Sequence, residues 1–241
     1  MLKKGTIPPL REQFPAPWPA IWAWIYLTNI ILGLVDPGSI TLMIIRVGGI
    51  FLCLAYAIKR FPKDHLLHLA LLATSIADVF LAANNTAETG IFIFLIAQVL
   101  HLVRLDGGKR ARTPLIIFCI IGVLALVGNL YFQNVQIIYV ICGFYLATIL
   151  MNIYFSYQWY IHNSENPRAF MALAGFILFL CCDTCTAISY LSLNHMFAAF
   201  FYAPANYFAW LFYYPSQILV SNSSKICKNA QKCAKIIPKG R

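Results

Sequence analysis

The sequence predicts an all-α protein, a polytopic membrane bundle of about eight transmembrane helices. Three observations support this fold class. First, 61% of the 241 residues are hydrophobic and only 11% are charged, whereas a soluble domain carries about 25% charged residues. Second, the apolar residues form eight separate runs, and third, Lys and Arg occupy alternate loops between these runs. The composition excludes a soluble enzyme, a disordered chain and a small disulfide scaffold.

The eight apolar runs are separated by short polar or turn-forming segments, and each is long enough to cross about 30 Å of hydrocarbon as a helix. They cover residues 18–35, 39–58, 65–83, 88–105, 113–131, 134–160, 167–193 and 196–220. Asp36-Pro37-Gly38 closes the first run as a turn, and the short gap before the last run requires a helical hairpin. The predicted organisation is a cytoplasmic N-terminal segment (1–17), an eight-helix transmembrane domain (18–221) and a basic cytoplasmic tail (222–241).

The net charge of +10, from 18 Lys and Arg against 8 Asp and Glu, predicts the orientation of the bundle. Basic residues occupy the N-terminal segment, the tail and the loops after the second, fourth and sixth runs, whereas the alternate loops contain no Lys or Arg. Because basic loops stay in the cytoplasm, both termini are predicted to be cytoplasmic. This distribution indicates contact with anionic lipids and argues against nucleic acid as a partner. The spacing of lysines in the tail fits either an interfacial helix or a solvated tail.

Six of the eight cysteines lie inside apolar runs, where cysteine behaves as a small hydrophobic residue. We therefore predict no disulfides. The cluster Cys181-Cys182-Asp183-Thr184-Cys185 in the seventh run contains residue types that ligate metals. At about 100° per residue, however, Cys181 and Cys185 point away from Asp183 on one straight helix. No metal site is predicted.

Four ionisable residues lie inside predicted spans, where the bilayer disfavours them unless they are paired or hydrated. They are Arg46, Asp78, His101 and Asp183. The two aspartates lie at similar depths in spans that run in the same direction, and Arg46 reaches a comparable depth from the opposite side. Two acids and a base at one depth predict a buried functional site. A structural ion pair between Arg46 and one aspartate is the alternative.

Uncharged polar side chains accompany these groups. Ser75 shares a helix face with Asp78, and Gln98 shares one with His101. A glutamine that faced lipid would lack hydrogen-bond partners, so both intramembrane glutamines are expected to face the bundle interior. The predicted substrate-binding residues are Arg46, Ser75, Gln98, His101, Tyr213, Tyr214 and Gln217. Helix–helix contact is the alternative role for the uncharged members of this set.

A short internal similarity links the two halves of the chain. Residues 94–100 in the fourth run resemble residues 213–219 in the eighth, and each segment follows a run that carries one aspartate. Because both halves have the same orientation, this similarity fits a parallel repeat of four plus four helices.

In these same segments the chain resembles the YhhN family of membrane lysoplasmalogenases. The similar segments are residues 73–81 (ATSIADVFL), 94–101 (FLIAQVLH), 175–183 (GFILFLCCD) and 213–217 (YYPSQ), and Arg46 resembles a basic residue early in the second helix of the family. The chain departs from the family pattern at four positions. It has Ala77 in place of a glycine, Cys182 in place of a serine, Gln98 in place of a histidine, and His101 in place of an aromatic residue.

The resemblance implies an integral-membrane hydrolase that cleaves the vinyl ether bond of lysoplasmalogens. The products are a fatty aldehyde and glycerophosphoethanolamine or glycerophosphocholine. This cleavage requires an acid that protonates carbon, a carboxylate that stabilises the oxocarbenium ion and activates water, and a cation that holds the phosphate, which parallels two-carboxylate glycosidases. On this hypothesis Asp78 and Asp183 form the acid/base pair, and Arg46 holds the phosphate. The chemistry needs no cofactor, and the partners are the lysophospholipid substrate and the bilayer.

Two other functions fit the same residues. In the first, the chain is a transporter or lipid carrier whose intramembrane polar cluster binds its cargo, although Gly48-Gly49 and Pro215 are the few breaks within the spans. In the second, the chain is a structural or regulatory membrane protein in which the aspartates only pair with Arg46. Substrate-dependent flux distinguishes the first alternative, and rescue by charge exchange distinguishes the second.

Overall fold

The computed structural model describes residues 17–36, 38–82, 87–106, 137–193 and 198–225, and these ranges are helical. The helices are α1 (Trp18–Val35), α2 (Ile40–Arg60), α3 (His65–Ala82), α4 (Ala87–Asp106), α5 (Ile137–His162), α6 (Pro167–Leu193) and α7 (Tyr202–Ser221), with a 3₁₀ turn at Ala199–Phe201. They correspond to the first four and the last three predicted runs. The predicted fifth span, residues 113–131, lies outside the described residues, as do residues 1–16 and 226–241.

The ends of the helices follow the local sequence. Ser39 Oγ accepts a hydrogen bond from Leu42 N at 3.2 Å and caps α2, and Asp64 Oδ1 accepts one from Leu67 N at 3.2 Å before α3. The sequence predicts the last span from residue 196, whereas α7 begins at Tyr202. Pro204 lies in the first turn of α7, where the missing N–H of proline costs no helical hydrogen bond, so the sequence favours a helix that starts near this residue.

The composition and surface of the helices are those of a multi-pass membrane protein. Five of the seven described helices, α1, α2, α4, α5 and α6, are long and apolar enough to cross a membrane, and α3 is a shorter apolar helix. Large hydrophobic side chains such as Leu34, Val35 and Ile40 are exposed on the outside, while polar side chains are buried inside. This inverted arrangement fits lipid as the surrounding solvent. The all-helical fold is confirmed in the described ranges, whereas the count of eight spans and the four-plus-four repeat stay predictions.

The described helices form a closed ring. α2 packs on α3, α3 on α4, α4 on α5, α5 on α6, α6 on α7, and α7 returns to α2, while α1 lies outside against α2 and α7. α6 and α7 approach closely at Gly175, where a Cβ atom would lie 2.8 Å from Val220 Cγ2. Small residues permit such close helix packing in membranes. Side chains that point into this ring can meet from helices that are not neighbours.

One end of the bundle carries the basic residues, and we call it the basic end. The described Lys and Arg residues there are Lys59, Arg60, Lys63, Arg104, Arg168 and Lys225. Residues 221–225 leave α7 at this end and pack back into the bundle as a buried polar segment. Arg104 lies 3.8 Å from Asp64 and donates hydrogen bonds to Ser223 O (3.2 Å) and Oγ (3.0 Å), and Ser224 Oγ donates to Asp64 Oδ2 at 2.7 Å.

The same 221–225 segment also contacts α2, α4 and α5. Tyr56 Oη donates a hydrogen bond to Asn222 Oδ1 at 2.5 Å. Lys225 Nζ donates one to the carbonyl of Leu105 and lies 5.0 Å from the centre of the Trp159 ring. Burial, with a smaller contribution from the charge of Arg104, lowers the pKa of Lys225 to about 8. The segment therefore ties four helices together at the basic end.

Candidate active site

Asp78 lies on α3 and points into the ring of helices. Its side chain is 5% exposed, and Tyr213 Oη from α7 donates a hydrogen bond to Asp78 Oδ2 at 2.6 Å. This oxygen–oxygen distance is in the range of short, charge-assisted hydrogen bonds. Because α3 and α7 are not packing neighbours in the ring, the bond crosses its interior and fixes the orientation of the carboxyl group.

Asp183 on α6 carries the second carboxyl group of the site. Tyr145 Oη from α5 donates a hydrogen bond to Asp183 Oδ2 at 2.9 Å, and the Asp183 side chain is half-buried. The ring of Phe94 contacts both Tyr145 and Tyr213, the phenol that binds Asp78, so the two carboxyl groups lie on one aromatic cluster. Among the described residues, neither carboxyl group forms an ion pair with a basic side chain. The structure thus brings the two predicted acids into one site, each bonded to a phenol.

Aromatic rings surround the two carboxyl groups. The centre of the Phe94 ring on α4 lies 6.3 Å from that of Tyr145, 6.0 Å from that of Phe179 and 6.4 Å from that of Tyr213. The rings of Phe179 and Tyr213 are 5.7 Å apart, and all four contacts are edge-to-face. An apolar wall of this kind excludes water, so electrostatic interactions inside it are stronger than in water.

Arg46 occupies a neighbouring cleft instead of joining the carboxyl groups. Its Nε donates a hydrogen bond to Asn29 Oδ1 at 3.1 Å, and its guanidinium lies 4.1 Å from the centre of the Trp210 ring. The cleft is lined by Asn29, Ile30, Arg46, Tyr207, Trp210 and Leu211. Trp210 in turn contacts Tyr213 at 5.4 Å between ring centres. One aromatic layer therefore separates the Arg46 guanidinium from the Asp78 carboxyl group.

Both predicted polar residues of α4, Gln98 and His101, are buried inside the bundle. Gln98 is buried, and Asn152 Nδ2 on α5 donates hydrogen bonds to Gln98 O (3.0 Å) and Gln98 Oε1 (2.8 Å). The Gln98 amide also interacts with the Tyr145 hydroxyl, so it lies beside the Asp183 half of the site. His101 is buried one turn further along, with its ring centre 5.3 Å from that of Phe176.

The remaining predicted residues lie outside the carboxyl pair. Ser75 Oγ donates a hydrogen bond to Leu71 O of its own helix at 2.9 Å. Tyr214 Oη donates to the carbonyl oxygens of Ile45 (2.6 Å) and Arg46 (2.9 Å), so it joins α7 to α2. Gln217 is buried, and neither atom of its amide has a hydrogen-bond partner among the described residues.

The sequence analysis did not identify Tyr145, the partner of Asp183, or Asn152, the partner of Gln98. A signal was present, because Tyr145, Thr148, Asn152 and Ser156 recur at intervals of three or four residues and so share one face of α5. Ser223 and Ser224 fall in the predicted basic cytoplasmic tail (222–241), whereas the structure buries both side chains. Across the described ranges, no group of three or more His, Cys, Asp or Glu residues is placed to hold a metal ion.

Comparison with known proteins gives one match. The model of the YhhN family matches residues 41–224 of the chain. This interval includes Arg46, both aspartates, both phenols that bind them, and most of the 221–225 segment. No curated protein and no solved structure matches the chain.

Proposed function

The chain belongs to the YhhN family, and on this premise we propose that it is an integral-membrane hydrolase of lysoplasmalogens. It cleaves the vinyl ether bond and releases a fatty aldehyde and a glycerophospho-head-group. By the distribution of Lys and Arg, the basic end faces the cytoplasm together with both termini. The substrate is a single-chain lipid, which reaches the site from the bilayer.

One observation carries the proposal: in the described ranges, the two carboxyl groups each bond to a phenol and to no cation, and both phenols contact the same Phe94 ring. A structural ion pair would need a basic partner, and in the described chain Arg46 bonds to Asn29 instead. Burying two unpaired acids is costly for a membrane protein, so such groups usually serve a function. This arrangement favours acid/base chemistry over a packing role.

The proposed reaction uses the two carboxyl groups in opposite protonation states. One, as the acid, donates its proton to the alkene carbon that does not bear the ether oxygen, and the ether oxygen stabilises the oxocarbenium ion that forms at the adjacent carbon. The other, as the carboxylate, takes a proton from water while the water oxygen bonds to the cationic carbon. The hemiacetal then collapses: the carboxyl group that was protonated by water gives this proton to the leaving glycerol oxygen, the first carboxyl group takes the hydroxyl proton, and the aldehyde remains with both groups in their starting states.

Arg46 is proposed to hold the phosphate of the head group. Its guanidinium lies one aromatic layer from the Tyr213–Asp78 pair, which suits a substrate whose phosphate and vinyl ether are separated by a glycerol unit. Arginine binds phosphate oxygens through two parallel N–H groups. Asn29 orients the guanidinium from the far side and leaves its terminal nitrogens for the substrate.

The test is aldehyde release from a lysoplasmenyl-ethanolamine by the purified chain in detergent. Asp78→Asn and Asp183→Asn are each expected to abolish release while thermal unfolding stays cooperative. Asp36→Asn, an exposed aspartate at the end of α1, is the matched control and keeps full activity. Full activity in either site variant refutes the two-carboxylate chemistry. No release from ethanolamine and choline substrates, together with substrate-dependent flux in vesicles, would instead support the transporter alternative.

A further inference from the structure

A polar stripe runs along the interior face of α5, beginning at the partner of Asp183. Thr148, Asn152 and Ser156 are buried, and Tyr145, at the start of the stripe, is half-buried. From Tyr145 to Ser156 the stripe spans about 16 Å at a rise of 1.5 Å per residue. The stripe runs from the carboxyl groups toward the basic end, where the Lys225 ammonium group lies over the Trp159 ring.

The facing surface of α4 continues the stripe. Asn152 donates to both the backbone and the side-chain oxygen of Gln98, and the Gln98 amide interacts with the Tyr145 hydroxyl. Asp183, Tyr145, Gln98 and Asn152 thus form one continuous line of polar contacts. His101 lies one turn beyond Gln98 on the same face of α4, at the level that Ser156 occupies on α5.

Several atoms of this stripe still lack partners. Asn152 Oδ1, Ser156 Oγ and His101 Nδ1 are buried and accept or donate no hydrogen bond within the described part of the chain. His101 is 3% exposed, and Asn152 and Ser156 are fully buried. Buried polar groups in proteins are satisfied by protein or by internal water, because an unsatisfied group disfavours folding. Three such atoms on two facing helices indicate a shared polar ligand.

We propose that the facing polar surfaces of α4 and α5 bind a file of water molecules that leads from the basic end to Asp183. The role of this water file, which is to supply water to the reaction, rests on the proposed hydrolase function. Each vinyl ether cleaved consumes one water, whose oxygen ends in the aldehyde and whose two hydrogens replace those given to carbon and to the glycerol oxygen. The site lies within an apolar membrane bundle, so the consumed water needs a polar route.

The first experiment asks whether water is present, independently of activity. Radiolytic hydroxyl-radical labelling of the full purified chain in detergent, read by mass spectrometry, modifies side chains that contact water. His101 is expected to be labelled severalfold faster than Tyr214, after correction for the reactivity of each ring. Tyr214 is the reference because it is 2% exposed and its hydroxyl is bonded to backbone carbonyls. Equal protection of His101 and Tyr214 overturns the proposal.

The second experiment asks whether the file delivers water to the reaction. Thr148→Val removes one hydroxyl from the stripe without changing its volume and is expected to lower kcat for aldehyde release about tenfold with little change in KM. Thr184→Val is the matched control, because both hydroxyls bond to a carbonyl of their own helix (2.7 and 2.8 Å) but Thr184 is exposed on the outside of α6.

The labelling of His101 and the kcat of Thr148→Val test the water file and the hydrolase function separately. Fast labelling of His101 in a protein that releases no aldehyde supports the water file and contradicts the hydrolase. Aldehyde release with unchanged kcat in Thr148→Val contradicts delivery through this route and leaves the hydrolase intact. Fast labelling together with the loss of kcat in Thr148→Val, but not in Thr184→Val, supports both.

Discussion

The hydrogen bond between Tyr213 and Asp78 allows the sharpest test of the site, through the substitution Tyr213→Phe. This change removes one hydroxyl group and keeps the ring, which packs against Phe94, Phe179 and Trp210. Both partners are about 95% buried, so water cannot replace the lost donor without rearrangement. The Asp78 carboxyl group loses its only described hydrogen-bond donor and its fixed orientation.

The size of the expected loss of activity follows from the length and the burial of the hydrogen bond between Tyr213 and Asp78. At 2.6 Å the bond is short, and a buried hydrogen bond to a charged group is worth about 1.5–3 kcal/mol. Since about 1.4 kcal/mol corresponds to a factor of ten in rate, kcat for aldehyde release is expected to fall about ten- to hundredfold. KM is expected to change much less, because the phenol contacts the reacting group and not the head group.

The assay compares Tyr213→Phe with Tyr56→Phe, which removes an equally buried phenol hydroxyl from Asn222 at the basic end. Tyr56→Phe is expected to lower thermal stability in detergent and to keep its kcat per folded protein. A double-mutant cycle between Tyr213→Phe and Asp78→Glu measures the coupling. Equal kcat in the two tyrosine variants, or additive effects in the cycle, would refute the assignment of Tyr213 as the residue that positions Asp78.

Three further outcomes are expected. Gly49→Ala places a Cβ atom against the ring of Tyr214 and should lower the free energy of unfolding by about 1–3 kcal/mol. Gly48→Ala is the control, because nothing lies within 4 Å of its new Cβ atom, and it should be neutral or stabilising. Equal effects of the two substitutions in thermal melts would contradict this packing. The pKa of Lys225 is lowered to about 8 from its ordinary 10.5, so the unfolded chain binds more protons than the folded chain between these pH values. The free energy of unfolding should therefore rise with pH over that interval. The rise should be absent in Lys225→Met, and identical pH profiles of the two proteins would contradict this prediction. Arg46→Gln should raise KM for lysoplasmalogen about tenfold or more with a smaller effect on kcat, and an unchanged KM would remove the phosphate role.

Much of the fold could be predicted from the sequence because apolar length and turn residues determine where a membrane helix begins and ends. The predicted runs 18–35 and 167–193 coincide with α1 (Trp18–Val35) and α6 (Pro167–Leu193). The start of α7 could not be predicted from hydropathy, because the apolar residues 198–201 continue the run while Pro204 limits the helix to a later start.

The site was predictable in part, for a related reason. Asp78 and Asp183 stand out in apolar segments by charge alone, and each accepts a hydrogen bond from a tyrosine of another helix. Tyr145 does not stand out, because a tyrosine in an apolar run looks like any other aromatic residue until its partner is known. The sequence predicts the depth of Arg46 in the membrane but not the direction of its side chain. That direction depends on the rotation of α2 about its axis, which places the guanidinium against Asn29.

The 221–225 segment has a consequence for the biogenesis of the protein. Ser223 and Ser224 bind Arg104 and Asp64, which precede them in the chain by 119 and 160 residues. Synthesis runs from the N-terminus, so α3 and α4 enter the membrane long before their polar partners exist. During that interval the Arg104 guanidinium and the Asp64 carboxyl group can pair with each other, but their remaining hydrogen-bond positions depend on solvent or lipid head groups at the membrane surface. The polar contacts of the basic end are therefore completed only after α7 has been synthesised.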